Sequence, residues 1–339
     1  MRNFPVIRRA SAGAERPVVV LTAACLVAAV CISFANQRLP KGGGDAWDGA
    51  FERIPLPTVV ATEIPSLAKP VAAPAKAVAS SVKLTDVLAW LAYDLDAVRE
   101  NGVVPHVIVA ALPSDLPAMP DSDARKRMFI KMMLPLVLHV NEGIDRDRDR
   151  ILALRDSFER TWTLSTADAQ WLRDTGRRYG LGGKLDFAEL LRRVDAIPPS
   201  LAVAQAAVES GWGTSRLAHE GRALFGQYTM YGEGPAQSEE AKNYRIKYFT
   251  SLVDAVRSYA TNLNTNPAYD RFRKLRANMR AAEFEPDGYD LADTLVSYSE
   301  LGKVYIKSIR RIIDTNELSR FDDARLSARH AFRLPADDA

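Results

Sequence analysis

The sequence predicts a mainly α-helical protein with a small β-structured part, preceded by an apolar N-terminal segment and a long linker. In most segments after residue 83, apolar residues recur at helical spacing, and only short segments alternate as strands do. The 339 residues are 47% hydrophobic and 26% charged, which is the composition of a folding chain. No unit repeats along the chain, which argues against a solenoid.

Cysteine and histidine usage excludes several kinds of site. The two cysteines, Cys25 and Cys31, lie close to the N-terminus, so neither a disulfide scaffold nor a cysteine-ligated metal site is expected. The histidines are His106, His139, His219 and His330. They form no pair at ligand spacing along the sequence, so we predict no metal site and no cofactor.

The net charge of +3 is confined to one end of the sequence. Residues 1–35 hold four of the 45 basic residues and one of the 42 acidic residues. Residues 36–339 are therefore balanced, with 41 of each sign. The charge gives no support to a nucleic-acid partner.

Residues 1–35 are predicted to form a signal anchor or a signal peptide. A basic region precedes the uncharged, mostly apolar run Val18–Ala35, and this order is typical of an export signal. Its 18 residues lie near the lower limit for a bilayer span. We predict an inner-membrane anchor through residues 18–35, with the rest of the chain in the periplasm. The alternative is a periplasmic protein, cleaved after Ala35.

Residues 36–82 form the predicted tether. Three consecutive glycines begin it, and prolines recur through it among many alanines. Such a composition is extended and disordered and does not form a core. A tether behind an anchor suits a protein that must reach a distant, immobile target.

Residues 83–195 form a predicted N-terminal helical region with one short extended segment. Its predicted helices are 85–101, which Thr85 caps and Gly102 stops, 123–141 with a kink at Pro135, 145–161, 166–179 and 186–194. Residues 103–111 are β-branched and interrupted by Pro105, so they are either one strand or an extended segment.

A helix that is apolar on all sides follows. Pro198 and Pro199 mark its start, where a missing N–H costs little. The next residues are nearly all small or apolar, which predicts a buried helix. Its first charged residue is Glu209, near its C-terminal end, and Ser210-Gly211-Trp212-Gly213 follows.

Glu209 is the candidate catalytic residue. Desolvation, the partial negative charge of the helix C-terminus and the apolar ring of Trp212 all raise the pKa of its carboxyl. An acid that stays protonated near neutral pH can protonate a glycosidic oxygen. The alternative is a structural carboxylate paired with a nearby arginine such as Arg216, and spacing alone leaves both readings open.

Three blocks of sequence resemble one family of enzymes. They are 205–215 (QAAVESGWGTS) with 224–226, then 260–269 (ATNLNTNPAY), then 297–302 (SYSELG) with Tyr305 and Ile306. They resemble the glucosaminidase domain of glycoside hydrolase family 73, which includes the flagellar rod peptidoglycan hydrolase and bacterial autolysins. The longer resemblance, over roughly residues 84–315, is to the Bax-like proteins of that group.

The resemblance implies a lysozyme-like helical fold with a small β-lobe between Gly226 and Phe249. It also implies a catalytic domain at 196–315 that cleaves peptidoglycan glycan strands after N-acetylglucosamine, with Glu209 as general acid. Independently, residues 244–249 alternate like a half-buried strand. Residues 316–339 are expected to be a charged tail that frays.

The remaining site residues also rest on the resemblance. Glu233 is chosen as the second catalytic carboxylate from the three glutamates of the lobe, although assistance by the substrate's N-acetyl group would make it dispensable. Tyr298 corresponds to the family's catalytic tyrosine, and its alternative is a core tyrosine with a bonded hydroxyl. The predicted substrate contacts are Trp212, Gln205, Phe225, Tyr269 and Tyr305.

Two other functions stay open at this point. A lytic transglycosylase also places one glutamate before Ser-Gly at a helix end, but its products carry 1,6-anhydromuramic ends. A non-catalytic wall-binding or scaffold protein would keep the cleft without the chemistry.

Overall fold

A computed structural model describes most of the chain after the predicted tether. The described residues are 85, 88, 92–182, 185–229, 245–299, 301–328 and 332–334. The predicted anchor and tether lie outside them. Within these ranges, no helix combines the length and apolarity that a membrane span requires.

The described part of the chain is mainly helical, as predicted. Its α-helices are α1 Leu95–Asn101, α2 Ser122–Thr161, α3 Thr166–Arg178, α4 Phe187–Arg193, α5 Pro199–Ser210, α6 Arg216–Gly221, α7 Leu252–Thr265, α8 Asp270–Ala281, α9 Gly288–Ala292 and α10 Lys303–Thr315. Its strands are β1 Val103–Val104, β2 Val107–Val109, β3 Tyr228–Thr229, β4 Arg245–Ile246, β5 Arg325–Leu326 and β6 Phe332–Leu334. Four 3₁₀ turns are Leu116–Ala118, Pro267–Tyr269, Val296–Tyr298 and Leu318–Phe321.

Helix α5 lies at the centre of the fold. It packs against α2, α9, α10 and the turn Leu318–Phe321. From Pro199 to Ala207 every residue is buried, because the small apolar side chains leave no polar face to turn toward water. The prediction of a helix buried on all sides is confirmed.

Helix α2 is a single helix of 40 residues, so the prediction of two helices with a break after Asn141 is wrong. The Asn141 side chain does not cap its own helix. It donates to Ile197 O and accepts from Ile197 N, at 2.8 and 3.1 Å. Pro135 lies inside the helix among buried residues, where packing outweighs the hydrogen bond that proline removes.

The predicted helix 85–101 is also divided. Ala92 takes a positive φ of 48°, and Asp94 begins α1 by accepting from the amides of Asp96 and Ala97 at 2.8 and 3.0 Å. A local N-cap therefore restarts the helix inside a continuous apolar pattern. The predicted stop at Gly102 is confirmed, with φ of 68°.

The small β-structures join distant parts of the chain. Strands β3 and β4 pair antiparallel between Gly226 and Phe249, where the lobe was expected, and the residues between them lie outside the described ranges. Strands β1 and β2 pair in parallel with β5 and β6, respectively. The segment predicted to fray after residue 315 is thus part of the fold at 316–328 and 332–334.

Asp322, from that same segment, holds the start of α5. Its carboxylate accepts from Ser200 N and Ser200 Oγ, both at 2.7 Å, and from Gly288 N at 3.1 Å. Since Pro198 offers no side-chain cap, a carboxylate distant in sequence satisfies the free N–H at the helix start. The partial positive charge of the helix N-terminus also favours a negatively charged side chain at this position.

The contact between α9 and α5 generates a stability prediction. A Cβ added at Gly288 would lie 2.1 Å from Ser200 Oγ and 2.8 Å from Leu201 N. We expect Gly288→Ala to lower the free energy of unfolding by about 3 kcal/mol, because one of the helices must move. Gly182→Ala is the matched control, since a Cβ there meets no atom within 4 Å. Equal urea-unfolding midpoints for the two variants would contradict the packing.

Candidate active site

Glu209 lies in the last turn of α5, close to where the chain leaves the core. Gly211 ends the helix with φ of 59°, and its N–H donates to Ala207 O. Trp212 also takes a positive φ of 59°, so the chain turns sharply directly after the acid. This turn leaves Glu209 half-buried, at the edge of the buried helix.

The carboxyl of Glu209 is held in an environment that favours its protonated form. Burial raises its pKa from 4.5 to about 7, and a hydrogen bond from the Tyr305 hydroxyl partly opposes this rise. Oε1 is buried and has no hydrogen-bond partner among the described residues. The alternative pairing with Arg216 is wrong, since that guanidinium binds Glu220 Oε2 at 2.8 Å.

Three buried side chains connect α5, α7 and α10 behind Glu209. Tyr259 Oη donates to Gln205 Oε1 at 2.6 Å. Gln205 Nε2 donates to Tyr305 Oη at 2.8 Å. Gln205 and Tyr259 are fully buried, and Tyr305 is 2% exposed. We call Tyr259, Gln205 and Tyr305 the tyrosine–glutamine chain.

A set of stacked aromatic rings surrounds this chain. Tyr298 stacks on Tyr305 with ring centroids 5.5 Å apart and planes 11° apart. Phe225 stacks on Tyr259 with centroids 4.1 Å apart. The Tyr298 hydroxyl donates to Phe225 O at 3.1 Å, and burial raises the pKa of Tyr298 well above its usual range. Tyr298 is therefore a neutral phenol near Glu209.

Trp212 forms one wall of a groove beside the acid-bearing turn. Its indole contacts Phe129 edge-on, with ring centroids 5.9 Å apart. The groove has a volume of about 600 Å³ and lies between α1, α2 and the end of α10. Its lining includes the charged residues Asp96, Arg99, Asp123, Lys126, Arg127, Arg311 and Glu317.

The structure brings most of the sequence-predicted site residues together, but not in the predicted roles. The residues that cluster near Glu209 are Gln205, Phe225, Tyr269, Tyr298 and Tyr305. Four of the five predicted substrate contacts are 4% exposed or less, which is at odds with direct contact with a glycan. They are Gln205, Phe225, Tyr269 and Tyr305.

Of the other site residues, Trp212 and Glu233 were predicted from the sequence and Tyr259 was not. Trp212 is half-buried and stays a predicted substrate contact. Glu233 lies outside the described residues. Sequence reasoning missed Tyr259. The sequence shows it only as an aromatic residue on the apolar face of α7, where it resembles any core aromatic.

Two histidines that are distant in sequence meet in the fold. His106 Nε2 and His139 Nδ1 lie 3.3 Å apart, which corrects the view that the histidines are scattered. Among the described residues, no group of three or more His, Cys, Asp or Glu side chains is placed to hold a metal ion.

Comparison with known proteins finds one family and two similar proteins. The family described as Glucosaminidase, mannosyl-glycoprotein endo-β-N-acetylglucosaminidase, matches residues 185–318. The protein named Protein bax from Escherichia coli strain K12 is 36% identical over 201 residues, which cover 58% of this chain and 71% of the relative. The catalytic domain of the autolysin Auto from Listeria monocytogenes is 19% identical, with 50% of this chain and 95% of that chain covered. Its TM-score is 0.29, which supports no structural argument.

The family match places α4 through α10 in a class of glycoside hydrolases, the glucosaminidases. Within that class, the chain belongs to the Bax-like glucosaminidases.

The environment of Glu209 generates a prediction about stability and pH. The folded pKa is about 7 and the ordinary value is 4.5, so the folded state binds the proton more tightly. The wild type therefore loses stability as pH rises between these values, about 3 kcal/mol in all. We expect Glu209→Gln, which stays neutral, to be more stable than the wild type at pH 8 and similar to it at pH 4.

Thermal unfolding at both pH values measures this effect. Glu220→Gln is the control, because Glu220 is exposed in its pair with Arg216 and its removal changes little at either pH. A stability difference between the wild type and Glu209→Gln that does not change with pH would refute the assignment.

Proposed function

We propose that this protein is a peptidoglycan hydrolase, an N-acetylglucosaminidase that cleaves the glycan strand with Glu209 as general acid. The observation that carries the proposal is a half-buried carboxyl group with a raised pKa and a tyrosine neighbour, at the end of a buried helix. Membership of the Bax-like glucosaminidases supports a reaction at a glycosidic bond.

We propose a lysozyme-like fold for the catalytic domain. Its support is the buried helix α5, which carries the acid at its C-terminal end, and the β3–β4 pair, which follows in sequence. A glycan bound between this pair and the helices would meet Glu209 at the edge of the core. We propose Glu233, which lies between these two strands in the sequence, as the second carboxylate, and the family resemblance supports this choice.

The proposed chemistry assigns one task to each of two side chains. Protonated Glu209 transfers its proton to the glycosidic oxygen as the bond to the sugar breaks. Tyr298 donates its own proton to Phe225 O, so its oxygen is free to accept the N–H of an N-acetyl group. We propose that Tyr298 positions the substrate through this neutral phenol oxygen, which its bond to Phe225 O supports.

The groove next to Trp212 supports peptidoglycan as the substrate. An indole face suits stacking on a sugar ring. The charged groups that line the groove have both signs. They complement the peptide stems of peptidoglycan, which carry both carboxylates and amines. The glycan of a glycoprotein has no such stems.

We further propose that the enzyme acts in the periplasm. The predicted anchor at residues 18–35 would hold it at the inner membrane, or cleavage after Ala35 would release it. The tether would let the domain reach glycan strands, its proposed partner.

Product analysis tests the proposed reaction. Digestion of purified sacculi by the full chain should release muropeptides with reducing N-acetylglucosamine ends, detected by mass spectrometry. Glu209→Gln should lower kcat about 10³-fold, because general acid catalysis contributes about 10² to 10⁴. Above pH 7, kcat/KM should fall about tenfold per pH unit as Glu209 loses its proton.

The other possible products decide between the alternatives. Glu220→Gln should retain wild-type kcat, since that exposed side chain binds Arg216. Products with 1,6-anhydromuramic ends would replace the proposal with a transglycosylase. Binding to sacculi without release of fragments, unchanged in Glu209→Gln, would replace it with a non-catalytic wall-binding protein.

A further inference from the structure

Three exposed cations form a row along helix α10. Lys303, Lys307 and Arg311 recur at intervals of four residues, so their side chains lie on one side of the helix. All three are exposed, and within the described ranges none of them forms an ion pair. Their neighbour Arg310, in contrast, binds Asp293 Oδ2 at 2.9 Å. We call the three exposed side chains the α10 row.

The α10 row does not stabilise its own helix. Like charges four residues apart in a helix repel each other. Lys303 is also the first residue of α10, where the partial positive charge of the helix N-terminus is unfavourable to a cation. Residues that act against local stability are expected at functional sites. The arrangement therefore favours an anionic ligand bound along the row.

Arg311 connects the α10 row to the groove beside Trp212, which it lines. The acidic side chains of that groove already have cationic partners. The pairs are Asp96 with Arg99 and Arg127, Asp123 with Lys126, and Glu317 with Arg320. Among the described lining residues, Arg311 is the cation that remains without an acidic partner. The groove therefore offers a positive charge to a ligand.

The groove lies next to the proposed catalytic turn. Trp212 lines it and follows Glu209 by three residues. Two of the helices that form it, α1 and α2, precede residues 185–318, which the glucosaminidase family model matches. Helices from outside the family domain therefore form part of a groove beside the proposed acid.

We propose that this groove and the α10 row bind the peptide stem of peptidoglycan, with Arg311 holding a stem carboxylate. The inference rests on the proposed function, because a glycan strand bound at Glu209 is what brings a stem beside Trp212. A guanidinium binds a carboxylate in bidentate geometry. The groove volume of about 600 Å³ accommodates a short peptide. The enzyme is then selective for glycan that still bears its stems.

An anionic membrane surface is the alternative partner for three exposed cations. Two observations favour the stem. Arg311 lies in a groove rather than on a flat surface, and an indole that suits stacking on a sugar ring lines the same groove. A lipid headgroup would use neither the groove nor the indole.

Paired substrates test the proposal with the full chain. One is purified glycan strands with their peptide stems, and the other is the same strands after an amidase has removed the stems. The wild type should have a kcat/KM about tenfold higher on strands with stems, mainly through KM, because one charged hydrogen-bonded contact is lost without them. Arg311→Gln should lose this preference and match the wild type on strands without stems.

Salt dependence gives a second readout. Added NaCl should raise the KM of the wild type on strands with stems, because it screens an exposed contact between charges. The KM of Arg311→Gln should respond less. Lys307→Gln should reduce the preference in the same direction, and Arg311→Lys, which keeps the charge, should retain part of it.

Arg271→Gln is the matched control. It removes the same charge from an exposed arginine of α8 that forms no ion pair with a described residue and does not line the groove. Its preference for strands with stems should equal that of the wild type.

Four outcomes would overturn the proposal. The first is equal kcat/KM of the wild type on the two substrates. The second is an unchanged preference in Arg311→Gln, which would leave a membrane surface as the partner of the row. The third is an equal loss on both substrates, which would indicate a role in folding or in glycan binding. The fourth is loss of the preference in Arg271→Gln as well.

Failure of the proposed function is a separate result. If the wild type cleaves neither substrate, calorimetry with the free stem peptide still tests the site in the full chain. Arg311→Gln should then bind the peptide about tenfold more weakly than the wild type and Arg271→Gln do. Equal affinity of all three proteins for the peptide would overturn the proposal.

Discussion

The burial of α5 from Pro199 to Ala207 is the constraint on which the structure depends. A helix of small apolar residues has no face for water, so elements from both ends of the domain must cover it. At its start, the buried Ser200 finds the Asp322 carboxylate in place of water as the partner of its N–H and its hydroxyl. The chain leaves the buried core where the helix ends, at Gly211. Glu209 lies two residues earlier in the chain.

Glu209 differs from Asp195, another acid buried in the same core. Asp195 is 1% exposed and is compensated by guanidinium groups, with Arg280 Nη2 at 2.8 Å and Arg276 Nε at 3.3 Å. Buried charges are stabilised by partners of this kind. Glu209 has a phenol as its neighbour instead. The two buried acids thus have different neighbours, which are guanidinium groups at Asp195 and a phenol at Glu209.

Local pattern was sufficient for the elements that local forces determine. The apolar run of α5, its proline start and the glycine at 211 predict the helix, its burial and the position of Glu209. Pattern failed where a partner comes from elsewhere in the chain. In the local sequence Asn141 resembles the end of a helix, because its actual partner, Ile197, lies 56 residues away and does not show in the local pattern. Tyr259 looked like an ordinary core aromatic because only the fold brings it to Gln205.

The parallel pairing of β1 with β5 and of β2 with β6 also sets an order of events in time. Val103 and Arg325 are neighbours in the sheet, yet the chain between them contains almost the whole domain. Closing so long a loop is slow, and a chain emerging from its N-terminus presents β1 and β2 long before their partners exist. Asp322 emerges equally late. The domain is therefore incomplete until the segment with Asp322, β5 and β6 arrives, which delays the maturation of the acid-bearing helix until that segment has been made.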